Sequence, residues 1–158
     1  MSRLDETVAD LDYVLQPQVF LDANADVRRR NLDSAAMYVY RLREHRANEL
    51  GIRAYRERAA ASLDGRTTEA LVMVRGAFEH DLVSIVAPRE MVLYPGARTF
   101  PGRCTFPGSN PTWLLISETD GAFADRPDVL RRAYSETLEG TIAGYAFDSA
   151  RRFLVTSW

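Results

Sequence analysis

Apolar positions change their spacing near residue 67. Before it they recur three and four residues apart, the period of a helix face. Leu4, Val8, Leu11 and Val14 predict an N-terminal helix, opened by Ser2 and Asp5 in a capping-box-like start and stopped by Pro17. Ala35, Ala36, Val39, Leu42 and Leu50 continue the period behind a cap at Asp33 or Ser34, and Ile52, Tyr55, Ala59 and Leu63 extend it. Gly51 interrupts the run. Residues 34–63 therefore read as two helices broken at Gly51, or as one helix carrying a glycine at a cost of about 1 kcal/mol relative to alanine.

After Glu69 the apolar residues come in short unbroken runs. Leu71–Val74, Leu82–Ala87, Met91–Tyr94 and Thr112–Ser117 have the length and branched side chains of buried strands, and the connections among the first three are too short for parallel crossovers. Asp125, Pro127 and Asp128 open a helix, about 127–139, on which Leu130, Ala133, Tyr134 and Leu138 share a face and which Gly140 ends. Thr141–Phe147 and Arg152–Trp158 then read as a hairpin around Asp148–Arg151. The expectation is an α+β fold: an N-terminal helical segment of two to three helices packed on a mostly antiparallel sheet of about five to six strands, with one helix inserted before a C-terminal hairpin. At 158 residues it fits a single domain, 1–158, with a helical part at 1–66 and a sheet part at 67–158.

Residues 95–111 belong to neither pattern. They read PGARTF, PGRCTF, PGSNP, with three Pro-Gly pairs six residues apart. Proline fixes its own φ and glycine supplies the positive φ of a type II turn, yet such turns twist the wrong way for tight hairpins. The segment is expected to form a wide loop, and a connection of this length inside a compact domain points to function. Its Phe100 and Phe106, each near an arginine (Arg98, Arg103), have the composition of an interface hot spot.

Composition narrows the chemistry. All 20 basic residues are arginine, and without lysine there is no P-loop phosphate lysine, no Schiff base and no lysine general base. The formal charge of −2 is unevenly spread. Residues 1–25 carry one Arg against five acids, residues 26–66 ten against six, and the remainder nine against eleven. The basic middle segment, including Arg28–Arg30, is short of the one-sided patch of a nucleic-acid binder. A helix-turn-helix reading around Ala47 and Gly51 fails on Arg46 and Glu57, which fall where that motif buries apolar residues.

Two His and one Cys, with no CxxC, HExxH, GxGxxG or GxSxG, leave no metal or cofactor expected and no catalytic residue assigned. Cys104 with Arg98, Arg103 and His80 would be a conceivable thiolate site, but nothing in the sequence brings residue 80 to residue 104. Glu118, Asp120, Asp125 and Asp128 offer cation-binding oxygens, and each already has a use in a turn or a cap. Tyr38, Tyr40, Tyr55, Trp113 and Tyr145 read as core in preference to a ligand pocket. With one cysteine and no apolar run of signal or membrane-spanning length, the expected place is the cytoplasm, or a particle assembled in the cytosol.

The functional expectation is a non-catalytic protein–protein interaction or assembly protein, of adaptor, immunity-type inhibitor or particle-subunit kind. Its partner would be a protein or further copies of itself, met through Arg98, Phe100, Arg103 and Phe106. The alternative is a small-molecule enzyme or carrier with a pocket between helices and a curved sheet, using Asp, Glu, Tyr or His as acid and base. A third reading is a weak nucleic-acid binder working through the Arg-rich helices, against which the acidic pI of about 5.7 counts.

Overall fold

The computed structural model describes residues 3–16, 19, 25–75, 83–84, 112–118 and 128–156. Six helices make up most of this: α1 (Arg3–Val14), α2 (Ala25–Leu50), α3 (Ile52–Ala60), α4 (Leu63–Val74), α5 (Asp128–Thr137) and α6 (Ala143–Arg151). A single wide helical turn, Arg152–Thr156, continues α6. The extended structure among the described residues is one antiparallel pair, β1 (Val83–Ser84) and β2 (Thr112–Trp113), with Val83 opposite Trp113. This overturns the expected α+β fold and its sheet of five to six strands.

The reasons differ from run to run. Leu71–Val74, expected as a strand, is the last turn of α4. A short apolar run has the same look in a buried helix as in a buried strand, and α4 is buried on several sides. It packs against α2, α3, α5, α6 and the wide turn, so its buried residues Gly65, Thr67, Thr68, Ala70 and Leu71 spread round more than half of its circumference. The expected hairpin of Thr141–Phe147 and Arg152–Trp158 is α6 and the turn after it. Ala143, Ala146, Phe147 and Ala150 are buried at helical spacing, followed by Phe153 and Leu154, so Asp148–Arg151 is a stretch of helix and not a turn. Thr112–Ser117 is extended only as far as Trp113 and then tightens into a 3₁₀ turn at Ile116–Glu118. Of Leu82–Ala87 the pair Val83–Ser84 is extended, and Met91–Tyr94 lies outside the described residues.

The helical expectations stand with moved boundaries. The predicted break at Gly51 is present, between α2 and α3, with φ at +83°. Helix α2 starts nine residues before the expected cap, at Ala25, and so takes in Arg28–Arg30. At a rise of about 1.5 Å per residue it is roughly 39 Å long and serves as a spine. It packs against α1, α3, α4 and α6. Its buried stripe is Leu32, Ala35, Ala36, Val39, Leu42 and Ala47. The helix expected at about 127–139 is α5, Asp128–Thr137.

Around α5 the polar groups of the incoming chain are captured one by one. Trp113 N–H donates to the Thr141 carbonyl at 2.9 Å and its carbonyl accepts from Gly140 N–H at 3.0 Å. The Tyr134 hydroxyl donates to the Leu114 carbonyl at 2.7 Å, and Glu139 accepts from Ile116 N–H at 2.8 Å. These bonds seat the Trp113 ring edge-on to Tyr134 and against Phe147, with centroids 6.2 and 6.3 Å apart. An indole wedged this way brings α5 and α6 to one core.

Two glycines limit the fold for opposite reasons. At Gly65, buried in α4, a methyl group would meet the Ala59 carbonyl oxygen at 2.3 Å, so α3 and α4 touch backbone to backbone. At Gly51 a methyl group would meet nothing within 4 Å, and the constraint is the torsion angle alone. Gly65→Ala is expected to cost about 1–3 kcal/mol by overpacking, and Gly51→Ala about 1–2 kcal/mol by backbone strain. Urea melts of both variants check this, and a Gly65→Ala melt equal to wild type would refute the backbone contact.

Candidate interaction surface

Helix α3 is held by two side chains. Tyr55 and Ala59 are its only buried residues, and the other seven of its nine are exposed. The Tyr55 ring meets Phe153 edge-on at 6.0 Å, and the Arg43 guanidinium of α2 lies over its other side, 5.2 Å from the centroid. Ala59 rests on Gly65. Ser62 caps α4 by accepting from Gly65 N–H at 3.0 Å. A short helix clamped from within displays the rest of its circumference: Ile52, Arg53, Ala54, Arg56, Glu57, Arg58 and Ala60.

Beneath α3 sits a network of charge. Arg43 donates to both oxygens of Glu69 on α4, Nε at 3.2 Å and Nη2 at 3.4 Å, while Nη1 bonds Glu44 at 2.5 Å. Burial alone would lower the Arg43 pKa, but the bond and charge of Glu69, then the bond to Glu44, raise it above the ordinary value. The Tyr55 hydroxyl interacts with the same Glu69 and Arg43. Its pKa is pushed far up, first by burial and then by the Glu69 carboxylate, against the opposing pull of Arg43. The network is structural: Arg43 ties α2 to α4 through Glu69, and Glu44 on α2 completes its pairing.

The other arginines that join helices behave alike. Arg46 Nε donates to the Leu154 carbonyl at 2.9 Å and its Nη1 to Glu49 at 2.7 Å, which with the nearby charge holds the Glu49 carboxyl below its usual range. Arg151 makes a bidentate pair with Asp12 of α1, and Arg152 one with Asp64 of α4 at 3.1 and 3.2 Å. Arg75 stacks on Tyr40 at 4.2 Å. Among the described residues no three His, Cys, Asp or Glu side chains gather as a metal site would require.

Large apolar side chains remain on the outside. Tyr13, Leu50, Ile52, Leu63, Val129 and Tyr145 are each at least two-fifths exposed, and Leu50, Ile52 and Leu63 flank α3 in sequence. Of the aromatic residues expected in the core, Tyr55 and Trp113 are buried, Tyr38 and Tyr40 half-buried, and Tyr145 is 67% exposed. The expected contact residues Arg98, Phe100, Arg103 and Phe106 lie outside the described residues, as do His80, Cys104, Asp120 and Asp125. Glu118 ends the 3₁₀ turn and Asp128 begins α5. One sign of the exposure of α3 is in the sequence but masked by its apolar period: between Arg53 and Ala61 only Tyr55 is neither charged nor small. The chain matches no protein-family model, no curated protein and no solved structure in comparison with known proteins.

Two measurements test the network. Arg43→Met should destabilise by about 1–3 kcal/mol, the range for stranding a half-buried partner charge, and adding Glu69→Leu should recover part of it. Full additivity in that double-mutant cycle would show that the two residues are not coupled. Because the folded-state pKa of Tyr55 lies above the ordinary tyrosine value of about 10, its contribution to stability is whole below that pH and is lost as pH climbs towards the folded value. In an alkaline absorbance titration, the phenolate signal that Tyr55→Phe removes should appear only with unfolding. A signal removed at the ordinary value would contradict the burial.

Proposed function

We propose that the protein is a non-catalytic interaction or assembly domain, of adaptor, inhibitor or particle-subunit type. Its partner is a protein or further copies of the chain, and its main contact is the Pro-Gly segment 95–111 through Arg98, Phe100, Arg103 and Phe106. The observation that supports this best is α3. A domain that commits its half-buried charges to tying helices together, and spends only two buried residues on a nine-residue helix, is built to present surface. The exposed side chains there include three arginines, a residue type enriched at interfaces, and the Pro-Gly segment pairs arginine with phenylalanine, which is also enriched.

The reading with a pocket under a curved sheet loses its scaffold, since the described residues form helices with one two-residue strand pair. No described helix is long and apolar enough to cross a membrane. A single cysteine suits the cytosol, or a particle assembled in it.

A photoreactive phenylalanine analogue placed at Phe100 or at Phe106 in the native host tests the contact. One discrete crosslinked protein species is expected, and Arg98→Ala with Arg103→Ala should abolish it. No crosslink at either position would overturn the assignment of this segment.

A further inference from the structure

We infer that the acidic outer face of α1 docks on the basic outer face of α3 in a second copy of the chain. Glu6, Asp10 and Tyr13 of α1 are exposed and lie four and three residues apart, so they share one face, while Leu11 and Val14 of the same helix are buried. On α3 the exposed Ile52, Arg53 and Arg56 form the counterpart, with Leu50 beside them across Gly51. The Arg53 side chain is 93% exposed, and Glu57, bonded to it at 3.0 Å, is the single acid of this helix.

The occupant follows from charge. Residues 1–25 hold one Arg against five acids, of which Asp12 is bound to Arg151, whereas α3 holds three Arg against one Glu. Two complementary faces occur on one chain, and both are exposed, so neither covers the other within a copy. Each also carries a large exposed apolar group, Tyr13 at 60% and Ile52 at 45% exposure. A guanidinium meeting a carboxylate can at the same time stack on a tyrosine. A net charge of only −2 leaves little overall repulsion between copies. Under a two-fold axis the contact is made twice, which closes a dimer. Because these are rim-type charges, the association is salt-sensitive.

This goes beyond the Pro-Gly contact, and either can fail without the other. Sedimentation velocity of the full chain over a concentration series, at low and at high salt, reads it. Wild type is expected to self-associate at low salt and to dissociate in high salt. Glu6→Arg with Asp10→Arg makes both faces basic, and Arg53→Glu with Arg56→Glu makes both acidic. Each double variant alone should weaken self-association at least about tenfold through like-charge contact, and mixing the two should restore it. Arg132→Glu and Glu136→Arg, each reversing an exposed charge on α5, control for overall charge and should leave self-association as in wild type. Circular dichroism reports whether each variant is folded, and the wild-type series stands by itself if one is not. A wild type that is monomeric throughout, reversals without effect, no restoration on mixing, or equal weakening by the α5 controls would each overturn the inference. So would a wild-type monomer that instead binds a single-stranded polyanion in a salt-dependent way.

Discussion

The fold depends on the surrounding of α4. This helix packs against four others and a terminal turn, burying Gly65, Thr67, Thr68, Ala70 and Leu71 and leaving Leu63, Arg66 and Met73 to water, and its composition is constrained accordingly. Gly65 and Ala70 let neighbours approach closely, and Leu71 fills the core. The hydroxyls of Thr67 and Thr68 would be costly there, but each donates to its own helix, to the carbonyls of Leu63 at 3.0 Å and Asp64 at 2.7 Å. A polar residue that satisfies itself is as good as a small apolar one at such a site. This is why α4 hides its helical period: it is written in small and self-bonded residues as much as in aliphatic ones.

Arginine supplies the second layer of order. Arg43, Arg46, Arg151 and Arg152 each deliver a planar head to a carboxylate or carbonyl on another element. Three of these bonds are bidentate, a geometry the lysine ammonium cannot reproduce. Whatever produced a chain without lysine, its packing now uses the fork of guanidinium at four helix junctions. The individual pairs are modest because most are partly exposed. Their weight lies in fixing which helix lies against which.

How much of this was legible in the sequence varies with how each element meets its neighbours. Helices α1 to α3 and the break at Gly51 were readable, because each has one buried stripe and one wet face. Helix α5 was readable from Asp128 and from Ala133, Tyr134 and Leu138. Leu71–Val74 and residues 141–156 were misread as strands, because a helix buried on several sides loses the alternation that distinguishes it, and aromatic and branched residues such as Ile142, Tyr145 and Phe147 favour strands when taken alone. The Arg43–Glu69 pair was invisible, since nothing local links residues 26 apart on two helices, whereas Arg53–Glu57 follows from its i,i+4 spacing. The exposure of α3 was hidden for a related reason: Ile52, Tyr55, Ala59 and Leu63 keep a helical period, but only the middle two are buried.

The paired arginines after α6 have a consequence for how the domain comes into being. Arg151 reaches back 139 residues to Asp12, Arg152 reaches back 88 to Asp64, and the Leu154 carbonyl receives Arg46 from 108 residues before. During synthesis, α1, α2 and α4 all wait for partners that emerge within four residues of one another. The earlier helices must leave the ribosome with apolar stripes and half-paired carboxylates still open, and loop closure over such separations is slow. Three junctions therefore share one four-residue segment, and none of the three can close before residues 151–154 are present.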